Sequence, residues 1–108
     1  MTIKLRKSDA KEPFSFIFVN AEGKTIVKSE NYAQKASAKN GIESVKKKCQ
    51  EDSRYELKES SNNKAYFNIK STNGQIVGTS ALFDSETERT AAITELKANS
   101  EEAEIIEE

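Results

Sequence analysis

Few side chains in this sequence are of types that do chemistry unaided. There is no histidine, which removes the commonest general base and metal ligand near neutral pH. The one cysteine, Cys49, falls on the apolar stripe of a helical pattern. A nucleophilic thiol needs exposure and a lowered pKa, so Cys49 reads as a packing group. One cysteine without histidine builds neither an internal disulfide nor the usual zinc tetrahedron. The glycines occur singly, never as a phosphate-cradling loop. Carboxylates crowd the last residues, Glu101, Glu102, Glu104, Glu107 and Glu108. Without a glycine-centred ligand loop they read as a solvated acidic edge. These residues point to a protein with no catalytic group, no metal site and no cofactor, and hence to a non-enzyme.

The basic residues raise a different chemistry. Lys46, Lys47 and Lys48, with Lys35 and Lys39 upstream, form a candidate patch for nucleic acid. Tyr66 beside Lys64 and Lys70 would add a base-stacking surface. Against this, three consecutive helical residues fan out by about 100° each rather than forming one stripe. The formal net charge is −1, which opposes strong phosphate binding. The charge is also unevenly spread. Met1 to Ser53 holds 11 Lys/Arg against 7 Asp/Glu, and Arg54 to Glu108 holds 6 against 11. Such a dipole steers charged partners or aligns two copies head to tail. No stretch is apolar enough for a signal sequence or a membrane span, so the expectation is a soluble cytoplasmic chain without membrane contact.

The elements that must position these groups come from a duplication. Phe16-Ile17-Phe18-Val19-Asn20-Ala21-Glu22-Gly23 returns as Phe67-Asn68-Ile69-Lys70-Ser71-Thr72-Asn73-Gly74, and the same 51-residue interval carries Ile42 onto Ile93. Such periods are the first thing to look for. Ile3-Lys4-Leu5-Arg6-Lys7 alternates at strand period, and Arg54 to Glu59 repeats it. Phe14 to Val19 follows Pro13 as an aromatic and β-branched strand. Glu22-Gly23 and Asn73-Gly74 suggest two-residue hairpin loops. That pairing sets Phe18 opposite Val27, Phe16 opposite Ser29, Ile69 opposite Gly78 and Phe67 opposite Ser80. Ala38, Ile42, Val45 and Cys49 then step at helical period. Ser85 with Glu88 is a capping box opening the second helix. Gly41 costs a helix about 0.5–1 kcal/mol against alanine, which suggests close approach of helix to sheet. Ala103 to Glu108 reads as a charged edge strand.

Each unit, about 1–53 and 54–108, is thus three strands, a helix and a closing strand, which cannot enclose a core alone. The expected fold is α+β: one domain over 1–108, two tandem βββαβ-type repeats merged into a single antiparallel sheet with pseudo-two-fold symmetry, both helices on the phenylalanine face. The opposite face would leave Ile17, Val19, Ile26, Tyr66 and Val77 uncovered. Contiguous apolar surface of that kind marks a partner site, whether for another protein or for a second copy. The competing reading is a face whose few apolar residues are half-covered by lysine and threonine stems.

The hairpin Phe-x-Phe/Ile around Glu-Gly or Asn-Gly, the run Ile-Val-x-x-Ser-x-x-Tyr/Phe, and Ala38-Lys39-Asn40-Gly41-Ile42-Glu43-Ser44-Val45-Lys46-Lys47 together resemble the YegP-like family of small proteins. The likeness spans nearly the whole sequence. The second copy keeps the apolar spacing in Thr90-Ala91-Ala92-Ile93-Thr94-Glu95-Leu96 but loses the Asn-Gly-Ile-Glu-Ser signature. The resemblance implies the βββαβ unit used twice, with closing strands exchanged between units: Arg54 to Glu59 completing the first as well as starting the second, and Ala103 to Glu108 returning to the first half. It brings no activity, cofactor or catalytic residue with it.

Overall fold

Alternation of apolar and polar residues builds the sheet, and the computed structural model describes residues 1–108. The elements in chain order are β1 (Thr2–Lys7), β2 (Phe14–Val19), β3 (Thr25–Ser29), α1 (Lys35–Lys48), β4 (Tyr55–Glu59), β5 (Ala65–Lys70), β6 (Ile76–Ser80), α2 (Glu86–Asn99) and β7 (Glu104–Glu107). A single 3₁₀ turn, Asp52–Arg54, links α1 to β4. All seven strands form one sheet in the order β4-β5-β6-β3-β2-β1-β7. The two repeats meet at the antiparallel β3·β6 pair, where Val27 faces Ser80 and Ser29 faces Gly78.

Ile3, Leu5, Phe16, Phe18, Val27, Phe67 and Ile69 share one face by register. They form a single buried cluster with Ala38, Ile42 and Val45 of α1 and Ala92 and Leu96 of α2. Both helices therefore lie on the phenylalanine face, and the two repeats share one core. Within it Phe16 stacks on Tyr32 at 6.1 Å and Phe67 on Phe83 at 6.4 Å, the same contact in each repeat.

The sheet is mixed, not wholly antiparallel. β7 runs parallel to β1, with Thr2 opposite Glu104 and Leu5 opposite Glu107. A strand reached through a helix is free of the hairpin constraint that forces neighbours antiparallel. The closing strand does return to the first half, but the exchange is one-way: β4 pairs only with β5 and completes nothing in the first repeat.

The hairpin loops also differ from the two-residue form. Gly23 N–H donates to Asn20 O (3.0 Å) and Asn20 N–H to Lys24 O (2.9 Å), with Gly23 at φ 83°. This is a three-residue loop, a type I turn closed by a left-handed glycine. Gly74 does the same between Ser71 and Gln75, and Asn63, at φ 61°, between Ser60 and Lys64. The longer loop would slip the register by one, and a bulge in each repeat corrects it. Val19 faces Thr25 while Phe18 faces Val27, and Lys70 faces Ile76 while Ile69 faces Gly78. Phe18–Val27 and Ile69–Gly78 thus pair as the sequence suggests, with Ile26 and Val77 as the extra residues.

Candidate functional site

Those two bulges decide where a site can form. A bulged residue leaves the strict alternation and can be re-aimed to the other face. Ile26 is 3% exposed and belongs to the core cluster, and half-buried Val77 packs against it. Neither lies on an uncovered reverse face, contrary to expectation. Ile17 and Val19 do point to that face, yet each is only 5% exposed. Their cross-strand neighbours are Lys4 and Lys28 around Ile17, and Thr2 and Thr25 around Val19. Aliphatic stems of such residues cover apolar neighbours while the polar ends stay in water. Tyr66 is half-buried, opposite Lys58. The expected apolar patch is therefore closed within the sheet itself.

On the second repeat this face is polar and internally bonded. Thr79 Oγ1 donates to Asn68 Oδ1 (2.9 Å), and Asn68 Nδ2 donates to Glu56 Oε1 (3.1 Å). Lys70 lies 2.6 Å from the other Glu56 oxygen. Hydrogen bonds from Lys70 and Asn68 hold the Glu56 carboxyl below its ordinary pKa.

The basic patch is partly engaged within the molecule. Lys35 and Lys39 both pair with Glu107 of β7, which lowers the Glu107 pKa, chiefly through the Lys35 bond. Lys46 is half-buried and 3.9 Å from Glu43, and Lys48 is half-buried too, leaving Lys47 exposed. Lys46, Lys47 and Lys48 do not converge on one surface, as their helical spacing requires. Cys49 is fully buried, and burial pushes its thiol up to about 11. The Tyr55 hydroxyl donates to the Cys49 carbonyl at 2.8 Å. A thiol so placed is neutral at physiological pH and inaccessible.

The larger of two concavities lies elsewhere, between α2, the segment before it and the β2–β3 hairpin. Its volume is about 550 Å³ and it opens to solvent. Its origin is an asymmetry between the helices. α1 packs over β1, β2, β5 and β6, whereas the main sheet contact of α2 is β5. The start of β3 faces α2 across the short Ala91 and Ala92, with Glu88 and Glu95 of the same helix beside them. The bulge supplies Ile26 to the wall, beside Phe83 and Ala92.

Around this apolar interior stand Glu22, Asp84, Glu88 and Glu95, with Lys24 as the only cation in the lining. Two of the carboxylates are fixed by local bonds. The capping box forms, Ser85 Oγ accepting Glu88 N–H at 3.2 Å. Glu88 Oε2 reaches one residue further back than usual, to Asp84 N–H at 2.9 Å. Asp84 itself pairs with Lys64, which holds the Asp84 carboxyl below its usual range and raises the Lys64 ammonium. Sequence periodicity gives no sign of this groove, because it depends on which strands α2 packs against.

Comparison with known proteins agrees with the duplicated architecture. A family model described as a domain of unknown function, DUF1508, matches twice, at residues 9–56 and 60–107. The chain is 43% identical to UPF0339 protein YegP of Shigella flexneri, over 80% of this chain and 78% of the relative. It is 39% identical to UPF0339 protein PA0329 of Pseudomonas aeruginosa, over 100% of this chain and 99% of that one. The solution NMR structure of UPF0339 protein SO3888 from Shewanella oneidensis superposes with a TM-score of 0.89 at 35% identity, covering 98% of this chain and 89% of the other. That of yegP from E. coli gives 0.89 at 37%, covering 98% and 90%. No helix is long and apolar enough to cross a membrane. With both repeats matched and the same fold in its relatives, this chain belongs to the DUF1508 family, in the two-repeat YegP form.

Proposed function

We propose that the protein is a non-enzymatic binding module of the cytoplasm whose ligand site is the groove between α2 and the β2–β3 hairpin. The ligand is a short cationic group or peptide with an aliphatic part. The observation that carries this reading is the pairing, in one concavity, of apolar wall residues (Ile26, Phe83, Ala92) with four carboxylates against one lysine, three of the four remaining after Asp84 is matched by Lys64. A volume of about 550 Å³ falls in the range of about 300–1,000 Å³ usual for such sites. Asp84 and Glu88 are tied into an ion pair and a helix cap, so they serve as fixed charges rather than as proton carriers. The unpaired, buried Cys49 accords with a reducing compartment.

Calorimetric titration with a Lys-Leu-Lys-Leu peptide tests this. Binding is expected to weaken as salt rises and to be lost in the Glu22→Lys/Glu95→Lys variant, which reverses the groove's charge. A single-stranded oligonucleotide, the probe for the basic-helix alternative, is expected not to bind. Equal peptide binding by the reversed variant, or oligonucleotide retention abolished by changing Lys46, Lys47 and Lys48 together, overturns the proposal.

A further inference from the structure

One outer edge of the sheet is closed by charge and the other is not. At the β7 edge, Glu104 and Glu107 bracket Ile105 and Ile106, with Glu101, Glu102 and Glu108 close in sequence. Antiparallel pairing of two such strands sets glutamate against glutamate. β4 is different. Its sequence, Tyr55-Glu56-Leu57-Lys58-Glu59, reverses charge about its centre, and Leu57 is 56% exposed.

Ser60 N–H bonds Lys64 O at 2.8 Å. Antiparallel alternation then turns the main-chain groups of Lys58 and Glu56 toward β5, and those of Leu57 and Glu59 outward. The N–H of Tyr55 is taken by Asp52 O, leaving its carbonyl for an incoming strand. Arg89 braces the strand from the helix side, donating to Lys58 O at 3.0 Å. This edge is therefore ordered and unpaired.

We infer that two copies of this chain associate through β4, antiparallel, with Leu57 opposite Leu57 on the two-fold axis. In that register Leu57 exchanges both main-chain bonds with its counterpart, and each Glu59 N–H reaches the other copy's Tyr55 carbonyl. Glu56 faces Lys58 at the adjacent pairs, where side chains approach most closely. A slip by two residues either way puts Glu56 against Glu56 or Lys58 against Lys58, so charge selects one register. The inference is separable from groove occupancy, because no residue of β4 lines the groove.

Sedimentation of the full chain over a concentration series reads the association, with circular dichroism confirming each variant's fold. The wild type is expected to shift from monomer to dimer. Lys58→Glu, which sets like charges opposite, is expected to weaken the dimer about tenfold or more, as is Glu56→Lys. An equimolar mixture of these two variants restores opposite charges across the edge and is expected to dimerise. Leu57→Cys is expected to cross-link on mild oxidation, since a hydrogen-bonded pair sets its Cα atoms about 5.5 Å apart, whereas Ile105→Cys is not. A wild type that stays monomeric at millimolar concentration overturns the inference. So does a dimer unaffected by Lys58→Glu, or one cross-linked equally well through Ile105→Cys.

Discussion

Two residue pairs show how closely the repeats share one design while differing in detail. A Cβ built on Gly41 would lie 2.4 Å from the Tyr32 hydroxyl, 2.8 Å from its ring and 3.1 Å from Phe16. In the second repeat the corresponding residues are Ala92 and Phe83, so the larger helix residue occurs where the ring lacks its hydroxyl. Gly41→Ala is expected to destabilise the fold by about 1–3 kcal/mol through overpacking. Tyr32→Phe in the same background should recover part of that loss, read from urea midpoints. Ser29 and Ser80 form a second pair. Ser29 Oγ accepts Phe16 N–H at 2.9 Å and donates to Glu30 O, and Ser80 repeats this with Phe67 and Ala81. Either serine changed to alanine leaves a buried N–H unpaired and is expected to cost about 1–3 kcal/mol. The Phe–Ser juxtaposition was legible from loop spacing. That the serine side chain replaces a ladder bond was not, since it needs the strand ends to diverge.

Among the elements, β7 is held by charge as well as by its ladder with β1. Glu107 meets Lys35 and Lys39, and Arg6 meets Glu108 at 2.9 Å. The Glu107 carboxyl lies below its ordinary value of 4.5 because of the Lys35 hydrogen bond and the two lysine charges. A carboxylate lowered in the folded state adds stability above its unfolded pKa, and that stability is lost as pH falls through the folded value. Urea midpoints from pH 7 to pH 3 are expected to fall less steeply below about pH 4.5 for Glu107→Gln than for the wild type. An unchanged acid limb would count against this clamp. The acidic edge strand itself was readable from Ala103 to Glu108, because a short apolar pair set among glutamates needs no tertiary information. Its parallel direction was not, because a helical crossover leaves strand direction open. Ile26 and Val77 were assigned the wrong face for a related reason: three-residue loops and bulges offset each other in register, so the Phe18–Val27 pairing is the same with or without them. The uncovered face failed at Ile17 and Val19 because alternation says which way a side chain points and nothing about the stems lying over it.

In the whole molecule, one core spans both repeats and β7 crosses back onto the first. Gln50 Nε2 bonds Ser100 Oγ at 3.1 Å, joining the ends of the two helices. Residues 1–53 expressed alone lack β6 and β7 and are expected not to fold as a monomer, giving no cooperative thermal transition. The intact chain is expected to unfold in a single step. The 51-residue period made the shared sheet legible, since a unit of three strands and one helix cannot close itself. The groove was hidden because it arises where the repeats part company, α2 facing the start of β3 across the short Ala91 and Ala92 and packing on fewer strands than α1. Amide chemical shifts of the ¹⁵N-labelled full chain during titration with the Lys-Leu-Lys-Leu peptide test that claim most directly. The account predicts saturable shifts centred on Ile26, Phe83 and Ala92. Shifts confined to α1 or to the reverse face around Ile17 and Tyr66, or none at millimolar peptide, would contradict it.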